Sequence, residues 1–265
     1  MCTVSVIVSN FHKQKYIKEA VQSVIDQTYK DWKLFIIDDS NGEDQIDEIF
    51  KELNNPNISL FLTDDIGLSA LRMEGVRLTS SKYILFMDAD DKIHPDFLKR
   101  TVQTLDNNLN FAFAYTDTQH FGDATTGWVQ PEYNFHALLE NNFICSCSLI
   151  RRNSLIDVGG YDLNNFNYWE DYEFWISLGA SGHYGKHIPE KLFYYRIHSG
   201  SGTQSQRDRI LAPLYKSYII TKFPELYPRE VVFQAIGNMN KFPPGFMKLK
   251  PFEQEEFLKK NGWMQ

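Results

Sequence analysis

The chain has 265 residues, 43% hydrophobic and 23% charged, enough for one large α/β domain with a full core or for two small ones. A formal net charge of -7 excludes the basic stripe of a nucleic-acid binder, and no nucleic-acid partner is expected. Cys2, Cys145 and Cys147 make neither a disulfide framework nor a zinc spacing. The opening MCTVSVIVSNFHK lacks a basic segment and a small-residue cleavage site, and no apolar run approaches the ~20 residues that span a bilayer. A cytoplasmic location is expected.

Residues 3–9 (TVSVIVS) read as a β-branched strand. From Tyr16, Ile17, Ala20, Val21, Val24 and Ile25 recur at helical spacing until about Thr28. Residues 32–38 (WKLFIID) and 58–62 read as further strands, and a helix follows in which Leu68, Leu71, Gly75, Val76 and Leu78 share a face. Residues 83–87 (YILFM) form a fourth strand that runs straight into Asp88. Strand and helix alternate and the strands are continuously apolar, which predicts a mostly parallel, Rossmann-like sheet with helices on both faces. The second half is less regular. A helix is predicted over 95–105, a strand over 111–116, a loop over 120–131, a short helix over 135–142, a strand over 144–150, a helix over 170–178 and a strand over 192–196. Beyond 206 the chain turns helical and aromatic; Pro251, Glu253, Lys259, Lys260 and Gly262 mark the last helix. The domain reading is a catalytic unit over 1–205, with a nucleotide-binding half to about 91 and an acceptor-binding half after it, and a helical extension over 206–265.

In such sheets a ligand sits beyond the carboxyl ends of the strands. Three of the four strands end there in polar or acidic residues: Ser9-Asn10, Asp38-Asp39 and Asp88-Ala89-Asp90-Asp91. Alternating carboxylates at a strand end can hold a hard divalent ion and leave positions open for phosphate; the other reading is an acidic turn capping the next helix. Asp38-Asp39 can accept from a base or ribose, or close an Asx-turn. Trp169-Glu170-Asp171 lies at a helix start, where carboxylates are favoured electrostatically. Asp171 can alternatively be a general base toward a hydroxyl, with only one of the adjacent carboxylates facing substrate. His198 suits manganese as well as zinc, and Arg196 can contact phosphate or brace the loop.

Five motifs in order carry a resemblance: VSVIVSNFHKQKYIKEAVQSVIDQTYKDWKLFIIDDS, GLSALRMEGVRLTSSKYILFMDADD, RRNSLIDVGGYD, WEDYEFWISLGASG and YRIHSGSGT. Over about residues 3–203 the chain resembles the inverting glycosyltransferases of family 2, which have the GT-A fold. The resemblance implies Ser9 and Asn10 under the nucleotide, Asp39 on the base, Arg72 near base and phosphates, and Asp88 on the ribose or on a metal-bound water. It implies Asp90 and His198 as contacts of a Mn2+ or Mg2+ ion, and Asp171 as catalytic base, with Asp38, Asp91, Glu170, Trp169 and Arg196 in support. The implied partners are a nucleotide-sugar donor, UDP-linked first of all, and a glycan or glycolipid acceptor chosen by the loops at 118–134 and 161–169, in bacterial surface polysaccharide or glycolipid synthesis. Met73 departs from the family's usual Asn, and residues 39–44 are a loose version of its Asp-Gly-Ser run. The tail after 206 carries no family motif; intramolecular packing, homodimer formation and peripheral membrane contact at the inner face all fit its aromatics. A non-catalytic nucleotide- or carbohydrate-binding scaffold is the rival class, and a sugar-nucleotide pyrophosphorylase is disfavoured by the glycine-free stretch after the first strand.

Overall fold

A computed structural model describes residues 2–11, 13–39, 46, 50–51, 55–164, 169–198 and 206–264. The predicted first strand is β1 (Val4–Asn10), and the helical run after it is α1 (Gln14–Ile25). Then come β2 (Trp32–Asp38), β3 (Ile58–Leu62), α2 (Leu68–Arg77) and β4 (Tyr83–Asp88). These four strands pair in parallel in the order β3-β2-β1-β4. Side chains alternate across the sheet, as the period of two requires. Val4, Val6 and Val8 pack on one face with Ile17, Val21 and Val24 of α1. Ile7, Phe35 and Phe86 pack on the other with Leu71 and Val76 of α2. Burying each such side chain stabilises the fold by roughly 1.5–3 kcal/mol.

The rest of the sheet is mixed rather than mostly parallel. A short β5 (Lys92–Ile93) and α3 (Phe97–Asp106) lead into β6 (Phe111–Gly122), which continues through part of the predicted loop and folds back on β7 (Gly127–Trp128). Next are α4 (Phe135–Glu140), β8 (Leu149–Arg151) and α5 (Arg152–Asp157); the apolar run from 144 forms strand only at its end. β8 joins the two halves by pairing antiparallel with both β4 and β6. After α6 (Glu170–Ala180), β9 (Tyr184–Ile197) runs parallel to β6, and its end pairs antiparallel with β5. That last pairing carries the end of β9 back to the acidic turn after β4.

The tail is α7 (Gln206–Lys222), α8 (Arg229–Met239) and α9 (Pro251–Lys260), packed around Leu211, Leu214, Tyr215, Phe246 and Leu258. It folds back onto the sheet domain. Tyr218 and Lys222 donate to Asp162, and Lys222 also pairs with the buried Glu173 at 2.7 Å. Lys216 donates to the Leu139 and Glu140 carbonyls and to the Tyr172 hydroxyl. Burial lowers the Lys216 ammonium to about 8. Intramolecular packing is therefore one role the tail fulfils. Among the described residues, no helix is long and apolar enough to cross a membrane.

Candidate active site

The parallel pairing puts the polar strand ends side by side. Ser9 is in register with Asp88, and Asn10 with Asp38. Asn10 donates to Asp38 Oδ1 at 2.6 Å, in full burial. The Ser9 hydroxyl is also buried and has no partner among the described residues. Asp39 is buried and spends its carboxylate on the following loop: Oδ1 accepts from the Thr63 hydroxyl and the Ile66 amide, and Oδ2 from the Gly67 amide. It thus fixes the turn between β3 and α2. Residues 40–45, which hold most of the loose Asp-Gly-Ser run, lie outside the described residues, as do 199–205.

Arg72 is 1% exposed and bridges the two halves of the site. Its Nη1 donates to Glu170 Oε1 at 2.6 Å and its Nη2 to Asp88 Oδ1 at 3.2 Å. Its guanidinium also lies 5.1 Å from the centre of the Tyr161 ring. Burial opposes this charge, but Tyr161 and the carboxylates of Glu170, Asp88 and Asp171 hold the guanidinium well above its ordinary value. Arg72 is a strut between strand end and helix start, a position the resemblance alone did not convey. Met73 packs beside it: its sulfur accepts from the Tyr161 amide at 3.4 Å.

The half-buried Asp88 carboxyl is pushed up by burial and by the nearby Asp90 and Glu170 charges, against the pull of Arg72. Asp91 is buried and accepts from the Arg196 amide at 2.8 Å; burial, Asp90 and Asp88 raise it well above the carboxylate range. Arg196 braces the loop rather than pointing free. Its Nε donates to the Asp90 carbonyl at 2.7 Å, its guanidinium pairs with Glu19, and it stacks on Tyr16 and Phe121.

The structure brings Asp90 and His198 together: His198 Nε2 lies 3.0 Å from Asp90 Oδ2. The Lys13 ammonium sits 2.6 Å from the same oxygen. Burial would raise the Asp90 carboxyl, but Lys13 and His198 hold it below its ordinary value. No group of three or more His, Cys, Asp or Glu side chains among the described residues is arranged to hold a metal ion. The donors present still fit one: the carboxylate suits magnesium or manganese, the imidazole favours the transition metal of the two, and the remaining positions go to water and phosphate oxygens.

Glu170 and Asp171 diverge at the start of α6. Trp169 enters the helix in a left-handed conformation, φ 65°. Glu170 turns inward to Arg72, and Asp171 turns to Asn142, whose Nδ2 donates to Oδ2 at 3.3 Å. Asp171 Oδ1 accepts from the Tyr172 amide at 2.7 Å. Burial first, then the Glu170 charge, push the Asp171 carboxyl up to about 7. Its partner Asn142 and its chain neighbours Trp169 and Tyr172, with Glu140, Pro213 and Lys216, line a cavity of about 500 Å³ that Asp171 itself does not line. The reading of the sequence missed Lys13, Asn142 and Lys216. Of these only Lys13 left a signal, a cation three residues beyond a strand end.

An open sheet with its acidic strand ends gathered at the switch between β1 and β4, closed by a second mixed half, is the GT-A glycosyltransferase architecture. The *Staphylococcus aureus* TarS 1-349 structure in complex with UDP-GlcNAc superimposes with a TM-score of 0.69 at 17% identity, covering 97% of this chain and 79% of that one. The *Pyrobaculum calidifontis* mannosyltransferase PcManGT in complex with GDP-Man and Mn2+ gives 0.64 at 15% identity, over 97% and 70%. Residues 5–159, more than half of the chain, match the glycosyl transferase family 2 model, and the chain belongs to that family. Among its relatives, the *Escherichia coli* UDP-Glc:alpha-D-GlcNAc-diphosphoundecaprenol beta-1,3-glucosyltransferase WfaP is 25% identical over 238 residues, 88% of this chain and 86% of that protein. The putative teichuronic acid biosynthesis glycosyltransferase TuaG of *Bacillus subtilis* is 25% identical over 205 residues, 75% and 80% respectively.

Proposed function

We propose that the chain is an inverting glycosyltransferase that moves a sugar from a nucleotide-sugar, UDP-linked first of all, to an acceptor hydroxyl. The observation that carries this is the Asp171 carboxyl, raised to about 7, bonded to Asn142 of a cavity wall and tied through its neighbour Glu170 to Asp88 by Arg72. A base poised near neutrality accepts a proton readily and is still about half ionised at neutral pH. The acceptor oxygen attacks the anomeric carbon from the face opposite the nucleoside diphosphate. Its proton passes to Asp171 Oδ2, the more loosely held oxygen, and the bond to the diphosphate breaks with its electron pair leaving on the phosphate oxygen. The anomeric configuration inverts.

Ser9, Asn10, Asp38 and Asp39 form the nucleoside wall in this reading, and Asp88 lies toward the ribose. Asp90 and His198 would hold a Mn2+ or Mg2+ ion, which supplies positive charge to the departing diphosphate. The cavity beside Asp171 supports entry of the acceptor there; its Trp169 and Tyr172 rings and its carboxamides suit a glycan end. Of the two loops expected to choose the acceptor, the first is partly taken up by the end of β6 and by β7, and 165–168 of the second lie outside the described residues. The likeness to WfaP, whose name gives a diphosphoundecaprenol-linked acceptor, and to TuaG, whose name gives teichuronic acid biosynthesis, supports a bacterial surface polysaccharide or glycolipid as product. A donor screen with UDP-glucose, UDP-GlcNAc and GDP-mannose tests the reading through nucleoside diphosphate release, with and without Mn2+. Release from one donor that requires Mn2+ is expected. No release from any donor, with or without candidate lipid-linked acceptors, would point to the scaffold instead.

A further inference from the structure

Lys13 stands at the entrance to α1, inside the first motif but with no role among the site residues that the resemblance implies. Its ammonium is nonetheless the third member of the Asp90–His198 pair, 2.6 Å from Asp90 Oδ2 and 3.4 Å from His198 Nε2. The three side chains reach this point from separate elements: the start of α1, the turn after β4 and the end of β9. All are substantially enclosed, at 28% exposure for Lys13 and 14% for each of the others. A divalent ion held by that oxygen and that nitrogen would sit about 2.1 Å from each. An ammonium on that same oxygen takes up one of its lone pairs, and two positive centres that close repel. Lysine and metal therefore compete for this oxygen of Asp90.

We propose that Lys13 is the resident counter-ion of the cation site: it holds Asp90 and His198 together when no metal is bound, competes with the metal for them, and on displacement turns its ammonium to the donor's diphosphate. The inference rests on the reading of Asp90 and His198 as the ion's ligands. A four-carbon stem anchored by backbone at the helix start allows the swing without moving α1, since only side-chain torsions change. The displaced charge then meets the diphosphate that arrives with the metal, so no unpaired cation is left in the site. A lysine placed this way makes metal binding weak alone and strong with nucleotide.

The test compares the full chain with Lys13→Met and Lys13→Arg. Free Mn2+ is followed by electron paramagnetic resonance during titration without nucleotide, and UDP affinity is measured by calorimetry at saturating Mn2+. Lys13→Met should bind Mn2+ alone about two- to fivefold more tightly, the strength of a partly exposed ion pair removed from competition. It should bind UDP about tenfold more weakly once Mn2+ is saturating, and Lys13→Arg should restore both values toward those of the parent. Equal Mn2+ affinity in parent and Lys13→Met overturns the proposal, as does absence of Mn2+ binding in Lys13→Met at millimolar concentrations. Asp90→Asn separates the two layers: if it binds Mn2+ with UDP as well as the parent does, the ligand reading itself fails and the Lys13 role falls with it.

Discussion

Asp171 is asked to do two things that its surroundings make compatible. Its burial and the Glu170 charge raise the carboxyl to about 7, so its basic form grows in as pH rises toward neutrality. Turnover should therefore show an acid limb near pH 7, and Asp171→Asn should lower kcat by about 10²–10⁴-fold with donor affinity kept, as steady-state rates and UDP titration would read. The same shift carries a cost to folding. A carboxyl whose folded value lies above its unfolded one binds more protons in the folded state, so stability falls as pH rises from about 4 to about 7. Asp171→Asn should then melt at a higher temperature than the parent at pH 8 and at the same temperature near pH 4; equal melting at both would contradict the raised value. The residue types and order of this site were legible in the sequence. The pairings were not: Arg72 joining Asp88 to Glu170, and Met73 receiving the Tyr161 amide, depend on contacts 98 and 88 residues apart.

Among the elements, the helix–strand contact of α2 on β1 sets how closely the site's floor is packed. Gly75 lies against Ile7, and a Cβ there would come within 2.4 Å of the Ile7 side chain. Gly75→Ala should destabilise the protein by about 1–3 kcal/mol in urea unfolding; a neutral effect would mean that α2 can shift freely on the sheet. The parallel half was readable because each strand is dominated by apolar residues and α1 has one apolar face. The second half was not. β6 and β9 run to 12 and 14 residues, and both carry polar residues such as Asp117, His120 and His187 that interrupt the apolar run. Asp117 and His187 are buried and pair with each other at 2.8 Å, so tertiary partners compensate for composition that reads locally as loop.

For the molecule as a whole, the tail completes the wall beside Asp171 and is fastened by charge. Lys222 neutralises Glu173, which is 1% exposed and whose carboxyl burial pushes up even with the lysine present. Lys222→Met should destabilise the chain by about 3–5 kcal/mol at pH 8, the cost of leaving a buried charge alone. The loss should shrink as pH falls, because Glu173 then takes a proton, and chemical denaturation at pH 5 and pH 8 would display the difference. Composition announced the tail's helices but not its docking, since aromatics fill cores and line surfaces alike. The account as a whole depends on the carboxylates at the ends of β2 and β4 and the histidine after β9 receiving one metal-bound nucleotide. Calorimetric titration of UDP into the parent and Asp90→Asn, with and without Mn2+, addresses that most directly. The account predicts binding that requires Mn2+ in the parent and is at least tenfold weaker in Asp90→Asn; equal affinity in both proteins would contradict it.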